Sequence, residues 1–302
     1  MTINDMIRYD ICPICTHMIK PWRLKIIGDV KHQIDLCTSC GFAFVNPRPS
    51  MSFLKDYYSL VGLGQSIDDH ISIESVKEKE NGDPNSTLDA KRMIMTILEL
   101  AQKDQKKNIL DIGCGYGFFS KEALDNGFNV SPLEIATTER SIANELLGLE
   151  PVEISFEDFD CQPSTFSAVL MSQTLEHAQD INLYISKAHD LLVRDGILAI
   201  ALPNFGSISR LLLQQNEPFI CPPAHLNFFN PCSLSSLLKR HGFKVERIQW
   251  VSRIPKKTLE KCLGDAGMPL LPVINGFCGA MGKGFDLIHL GIMINVYARK
   301  QF

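Results

Sequence analysis

The stretch Ile109-Leu110-Asp111-Ile112-Gly113-Cys114-Gly115-Tyr116-Gly117-Phe118-Phe119 decides how this chain folds. A short apolar run ends abruptly at three alternating glycines, and a helix-compatible segment begins at Phe118. Glycine at such a strand-to-helix turn permits left-handed backbone and lets a ligand approach the main chain. Two acids qualify the turn. Asp111 lies within the strand end, two residues before the first glycine, and Glu134 closes the next strand. A pyrophosphate at the helix N-terminus gives Asp111 no obvious role. A ligand carrying an ammonium group and a ribose, without phosphate, accounts for both acids.

Strand and helix signals alternate on both sides of this turn. Helices are expected from Ser86 or Thr87 to the lysines near 107, over Phe118–Asn126, Thr138–Leu147 and about Asn182–Val193, and from Asn230-Pro231 to Gly242. Strands are expected at Asn108–Ile112, Phe128–Glu134, Val152–Ser155, Ala168–Ser172, Gly196–Leu202, Phe243–Trp250 and His289–Ala298. Nearly all-apolar strands alternating with helices imply an α/β protein with a mostly parallel, seven-stranded sheet covered on both faces. The last two strands suggest an antiparallel edge hairpin, and the Pro- and Gly-rich segment 255–286 between them reads as irregular, shaping an acceptor pocket or a dimer contact.

The segment ILDIGCGYGFFSKEALDNGFNVSPLEI resembles the cofactor-binding signature of class I S-adenosylmethionine-dependent methyltransferases. The resemblance covers about residues 88–300, within an expected methyltransferase domain at 88–302. It implies a Rossmann-like sheet in which Gly113 and Gly115 admit the methionine part of the cofactor. Asp111 would support that end, and Glu134 would bind the ribose hydroxyls. Phe156 and Glu157, after the third strand, would line the adenine. Gln173 closes the fourth strand, a position from which it can touch cofactor or substrate. The Leu175-Glu176-His177 that follows matches an ending common in this branch, although Ser167 stands where relatives carry aspartate. Glu176 reads as structural or cofactor-side. His177 reads either as site-lining or as a helix-start residue packed on the sheet.

Residues 1–50 carry Cys12-Pro-Ile-Cys15 and Cys37-Thr-Ser-Cys40. Two such pairs offer four thiolates at the bite of a tetrahedral Zn²⁺ site, and a module this small has almost no core without one. A structural zinc ribbon is therefore expected, with His17 and His32 as bystanders, followed by a linker or cap at 51–87. The polar stretch 62–86 reads as linker or lid. The architecture of zinc module, FVNPRP and methyltransferase core resembles a bacterial subgroup acting on sugars, cell-envelope precursors or secondary metabolites. In related sugar C-methyltransferases, a Tyr-x-Glu-His segment after the fifth strand is catalytic. Here Pro222-Pro223-Ala224-His225 retains the histidine alone, a candidate general base on the acceptor side or an orderer of its loop.

Composition limits the alternatives. The chain has 302 residues, 45% hydrophobic and 21% charged, with a net charge of −4, so it is globular and nothing global draws it to nucleic acid or anionic membrane. No apolar run reaches membrane-spanning length, and the opening MTINDMIRYD lacks a signal-peptide layout, which suggests a cytoplasmic protein. Methyl transfer to a small hydroxylated molecule is the leading expectation. RNA methylation through the ribbon and a non-catalytic scaffold are the alternatives, with the acceptor atom and oligomeric state open.

Overall fold

The structure is a computed structural model that describes residues 6–50, 53–54, 72–82, 85–102, 105–252 and 271–301. Among them the main sheet has six strands: β4 (Asn108–Ile112), β5 (Asn129–Leu133), β6 (Phe166–Ser172), β7 (Leu192–Pro203), β9 (Phe243–Val251) and β10 (Met293–Lys300). Their order is β5-β4-β6-β7-β10-β9. The pairings β4–β5, β4–β6 and β6–β7 are parallel, whereas β10 runs antiparallel to both β7 and β9.

The expected seventh strand at 152–155 is corrected by this sheet. That segment meets β5 only through an isolated bridge, in which the Val152 amide donates to Pro132 and the Glu134 amide to Val152. Pro151 has no N–H to extend the ladder, and Val152 is largely exposed at the edge. The sheet is therefore six-stranded rather than seven-stranded, and mixed, with β10 alone running against the other five strands.

Alternation along the central strands supplies two apolar layers. Val169 and Met171 on β6, with Leu198, Ile200 and Leu202 on β7, face one core together with Tyr184 and Ile185 of α5 (Ile181–Leu191) and Leu234 and Leu237 of α7 (Pro231–Arg240). Ala168 and Leu170, with Ile197, Ala199 and Ala201, face the other, against Met93, Ile94 and Ile97 of α2 (Asn85–Leu100) and Ala123 of α3 (Phe118–Asp125). A period of two on buried strands explains why these runs read as continuously apolar.

Part of the polar stretch expected as linker or lid is helical: α1 spans Ile73–Gly82, and α4 follows the second strand at Thr137–Leu147. Residues 51–52, 55–71 and 83–84 lie outside the described residues, as does 253–270. The remainder of the segment expected to be irregular forms α8 (Leu271–Leu287), because Pro272 falls in the first turn, where no intrahelical N–H is needed.

The cysteine-bearing N-terminus builds a second sheet from β1 (Ile19–Ile27), β2 (Val30–Cys37), β3 (Ala43–Val45) and β8 (Asn227–Phe228), in that order. Its last strand belongs to the distal part of the chain: Ala43 pairs with Phe228 and Phe44 with Asn227. Side chains reinforce the join. Asn230 Nδ2 donates to Gly41 O at 2.9 Å, and Arg240 donates to Ile14 O at 2.8 Å. Cys12, Cys37, Cys40, Phe42 and Phe44 share one core with Phe229 and Leu234. Arg48, 1% exposed, donates to Asn227 Oδ1 and to the carbonyls of Ala178 and Gln179, and lies over the rings of Tyr9 and Phe44.

Candidate functional site

β4 delivers Asp111 to the floor of the glycine turn, where it is buried and accepts from Ser120 Oγ at 2.6 Å. Burial, and then the nearby Glu134, push its carboxyl up to about 7. Glu134 at the end of β5 is equally buried. One of its oxygens accepts from the Gly115 amide and the other from the Ala136 amide, both at 2.9 Å, so it ties the turn to the second strand. Glu139 on α4 adds a third carboxyl, raised by burial and by Glu134. A fold that gathers three acids beside a turn of positive-φ glycines favours a cationic occupant.

The two central glycines do different work. Gly113, at φ +67°, leaves room for Thr174 alone, since a Cβ there would sit 2.8 Å from Thr174 Oγ1. Gly115, at φ +53°, faces open space, with nothing within 4 Å of where a Cβ would be. That opening above Gly115, beside Asp111 and Glu134, is a cradle that fits the ammonium and ribose of a nucleoside-linked amino acid.

The other expected cofactor residues are placed less uniformly. Gln173 is exposed at the C-terminal end of β6 in left-handed backbone (φ +52°), with its amide donating to Ala201 O. The Phe156 ring turns into the core, edge-on to Tyr184 at 5.2 Å. Lys187 Nζ donates to the carbonyls of Phe156 and Glu157, pinning that loop, and Glu157 is half-buried.

A second cluster begins two residues beyond Thr174. One ligand atom each from Glu176, His177 and His225 falls within 4.8 Å of the others. The His225 Nδ1–H donates to Phe219 O at 2.7 Å and the His177 Nδ1–H to Ala224 O at 2.8 Å; a carbonyl can only accept, which fixes both tautomers. Burial keeps both rings neutral: it lowers His225 and, with His225 nearby, takes His177 to about 3. Glu176 is 1% exposed, and burial pushes its carboxyl up to about 8. The loops are clamped together: the Leu226 and Asn227 amides donate to Glu176 O, and Asn227 Nδ2 donates to Ala178 O at 2.7 Å. Sequence reasoning singled out His225 and left Glu176 as structural or cofactor-side. The paired signal was Glu-His in one loop and a lone histidine in another, 48 positions apart, which proximity in sequence cannot reveal.

The four N-terminal cysteines also converge. Cys12 Sγ lies 3.8 Å from Cys40 Sγ, and Cys15 Sγ 3.4 Å from Cys37 Sγ, with all four within 4.8 Å of one another. Sulfurs held tetrahedrally at ~2.3 Å from a zinc ion stand ~3.8 Å apart, so the donor set fits. Amides of Ile14, Ser39 and Cys40 point at Cys12 and Cys37 sulfurs, as thiolates require. Among the described residues neither His17 nor His32 joins this group.

Among the described residues no helix is long and apolar enough to cross a membrane. Comparison with known proteins agrees with the fold. The chain is 28% identical over 149 residues to the ubiquinone biosynthesis O-methyltransferase of Colwellia psychrerythraea, covering 45% of this chain and 60% of that one. It is 25% identical over 159 residues to the mitochondrial enzyme of Rattus norvegicus, covering 46% and 45%. The chain thus spans about half the length of the curated relatives it matches. Among solved structures, an Archaeoglobus fulgidus S-adenosylmethionine-dependent methyltransferase superposes with a TM-score of 0.53 at 18% identity, covering 75% of this chain and 99% of that one. A Burkholderia thailandensis 1,6-didemethyltoxoflavin-N1-methyltransferase, solved with bound 1,6-didemethyltoxoflavin and S-adenosylhomocysteine, superposes with a TM-score of 0.51 at 15% identity, covering 93% of this chain and 100% of that one. A methyltransferase-domain family model matches residues 87–248, more than half of the chain, and so the protein belongs to the methyltransferase-domain family.

Proposed function

We propose that this protein is an S-adenosylmethionine-dependent methyltransferase acting on a small molecule in the cytoplasm, a hydroxylated sugar or metabolite being the acceptor class. The observation that carries the reading is the open cradle above Gly115, flanked by the buried carboxyls of Asp111 and Glu134. Asp111 would take the ammonium end of the donor and Glu134 the ribose, with Gln173 at the rim and the Phe156-Glu157 loop beside the adenine. When bound, S-adenosylmethionine supplies a methyl on a sulfonium; its transfer forms a bond to the acceptor O, N or C and leaves a neutral thioether.

His225 stands on the acceptor side of this proposal. With its Nδ1–H committed to Phe219, the ring presents Nε2 as an electron-pair donor. That lone pair is what deprotonation of an acceptor needs, whether it takes the proton itself or acts through a bound cation. Calorimetry should show micromolar binding of S-adenosylhomocysteine to the wild type. His225→Ala should bind it within about threefold yet turn over ~10²-fold more slowly, the range of a lost acid–base contribution. Unchanged turnover would leave His225 as an orderer of its loop. No S-adenosylhomocysteine binding by the wild type would favour the scaffold alternative.

We further propose a zinc-ribbon unit at 1–50 and a methyltransferase unit at 88–302, with Cys12, Cys15, Cys37 and Cys40 holding structural Zn²⁺ and 51–87 as linker or cap. Nucleic acid is not the expected partner, since Lys20, Arg23, Lys25 and Lys31 form no clustered stripe. Chelation should reduce amide protection across residues 12–45, because binding and folding of such a module are linked. The shared β3–β8 pairing should carry the loss into residues 224–230. Protection that stays unchanged on chelation would remove the metal from the account.

A further inference from the structure

We infer that Glu176, His177 and His225 form a binding site for a divalent first-row transition ion, separate from the four-cysteine cluster. The first observation is the convergence of one carboxylate and two imidazoles, with a ligand atom from each inside 4.8 Å. A second, independent observation is Glu176 itself: both of its oxygens are buried, and neither has a hydrogen-bond partner. Buried carboxylates are paired, hydrogen-bonded or metal-bound, and an orphaned one is costly. A cation between the three side chains supplies the missing partner.

Second-sphere geometry agrees. Each imidazole donates its Nδ1–H to a backbone carbonyl, the arrangement that orients a histidine and raises the basicity of Nε2 toward a metal. The Glu176 carbonyl receives the Leu226 and Asn227 amides, so the two ligand-bearing loops cannot drift apart. One carboxylate with two nitrogens suits Zn²⁺, Fe²⁺, Mn²⁺ or Co²⁺, whereas Mg²⁺ and Ca²⁺ prefer all-oxygen shells. Three protein ligands leave positions open for a substrate oxygen. The inference rests on the reading of this pocket as the acceptor side, and it makes His225 a metal ligand rather than a proton carrier.

Cobalt is the probe. The full-length zinc-loaded protein is treated with a mild chelator, titrated with Co²⁺, and compared with Glu176→Gln treated identically. The wild type should bind one more cobalt ion per chain and gain visible d–d absorption without the near-ultraviolet thiolate band that a cysteine site would add. Equal cobalt uptake by the two proteins overturns the inference, as does extra cobalt that carries the thiolate band. Should Glu176→Gln fail to fold, His225→Asn makes the same comparison. S-adenosylhomocysteine calorimetry on the same samples separates the two readings. Nucleoside binding without the cobalt difference leaves the methyltransferase standing alone, and the cobalt difference without nucleoside binding leaves the metal site standing alone.

Discussion

Gly113→Val should weaken S-adenosylhomocysteine binding by about a hundredfold. The residue has φ +67°, where a β-branched side chain is strained by ~1–2 kcal/mol. The new Cβ would also meet Thr174 Oγ1 at 2.8 Å and its methyl at 3.3 Å. Thr174 cannot swing away freely, because its hydroxyl donates to Ile112 O at 2.9 Å. Loss of that bond adds ~1 kcal/mol. The turn is therefore expected to relax into another conformation, and binding must drive it back. Two to three kcal/mol corresponds to roughly a hundredfold in affinity. Gly127 is the control. It has φ +80° with open space around it, so Gly127→Ala should reduce stability modestly and leave nucleoside affinity intact. Equal affinity of Gly113→Val and wild type would show that the cradle lies elsewhere.

Arg48→Met should lower unfolding free energy by roughly 3–5 kcal/mol, read as a large drop in urea midpoint. Methionine fills much of the volume but leaves the buried Asn227 amide oxygen and the partly buried Gln179 carbonyl without this donor, and leaves Ala178 O with only its bond from Asn227 Nδ2. Arg48→Lys should not restore stability, because one ammonium cannot span three acceptors that a planar guanidinium fork reaches together. Burial already pulls the guanidinium down to about 10, a sign of how far it is removed from water. If Arg48→Met unfolds at the wild-type midpoint, the join between the two sheets rests on the β3–β8 pairing, the Asn230 and Arg240 hydrogen bonds and packing.

Much of the main domain was legible because buried strands announce themselves. Asn108–Ile112 matched to the residue, and the helices near it matched within one or two at Phe118 and Thr137. What escaped the sequence depended on partners far along the chain. Val152 carries the residue type of a strand, yet its partner strand offers it one bridge. Asn227-Phe228 looks like loop, and becomes a strand only because Phe44 and Ala43 lie beside it. Strand β7 begins at Leu192, in residues expected to end the preceding helix, and runs through the polar Arg194-Asp195 before its apolar part. At the site, glycines and acids of one contiguous segment were readable, whereas the Glu176–His177–His225 group exists only after two loops meet. Arg48 gave no signal, since an arginine beside prolines usually signifies solvent.

The shared strand has a consequence for the order in which the protein comes into being. Cysteines, hairpin and β3 leave the ribosome well before the strand that completes their sheet, which is encoded at residues 227–228. At 5–20 residues per second that strand emerges roughly ten to forty seconds later. During that interval Phe42 and Phe44 lack Phe229 and Leu234, the neighbours that the distal part of the chain supplies. The newborn cysteine-bearing segment thus has an open edge at β3 with aromatic surface, and is a substrate for any chaperone that binds such segments. Its protection depends on the speed of translation as much as on the stability of the finished fold.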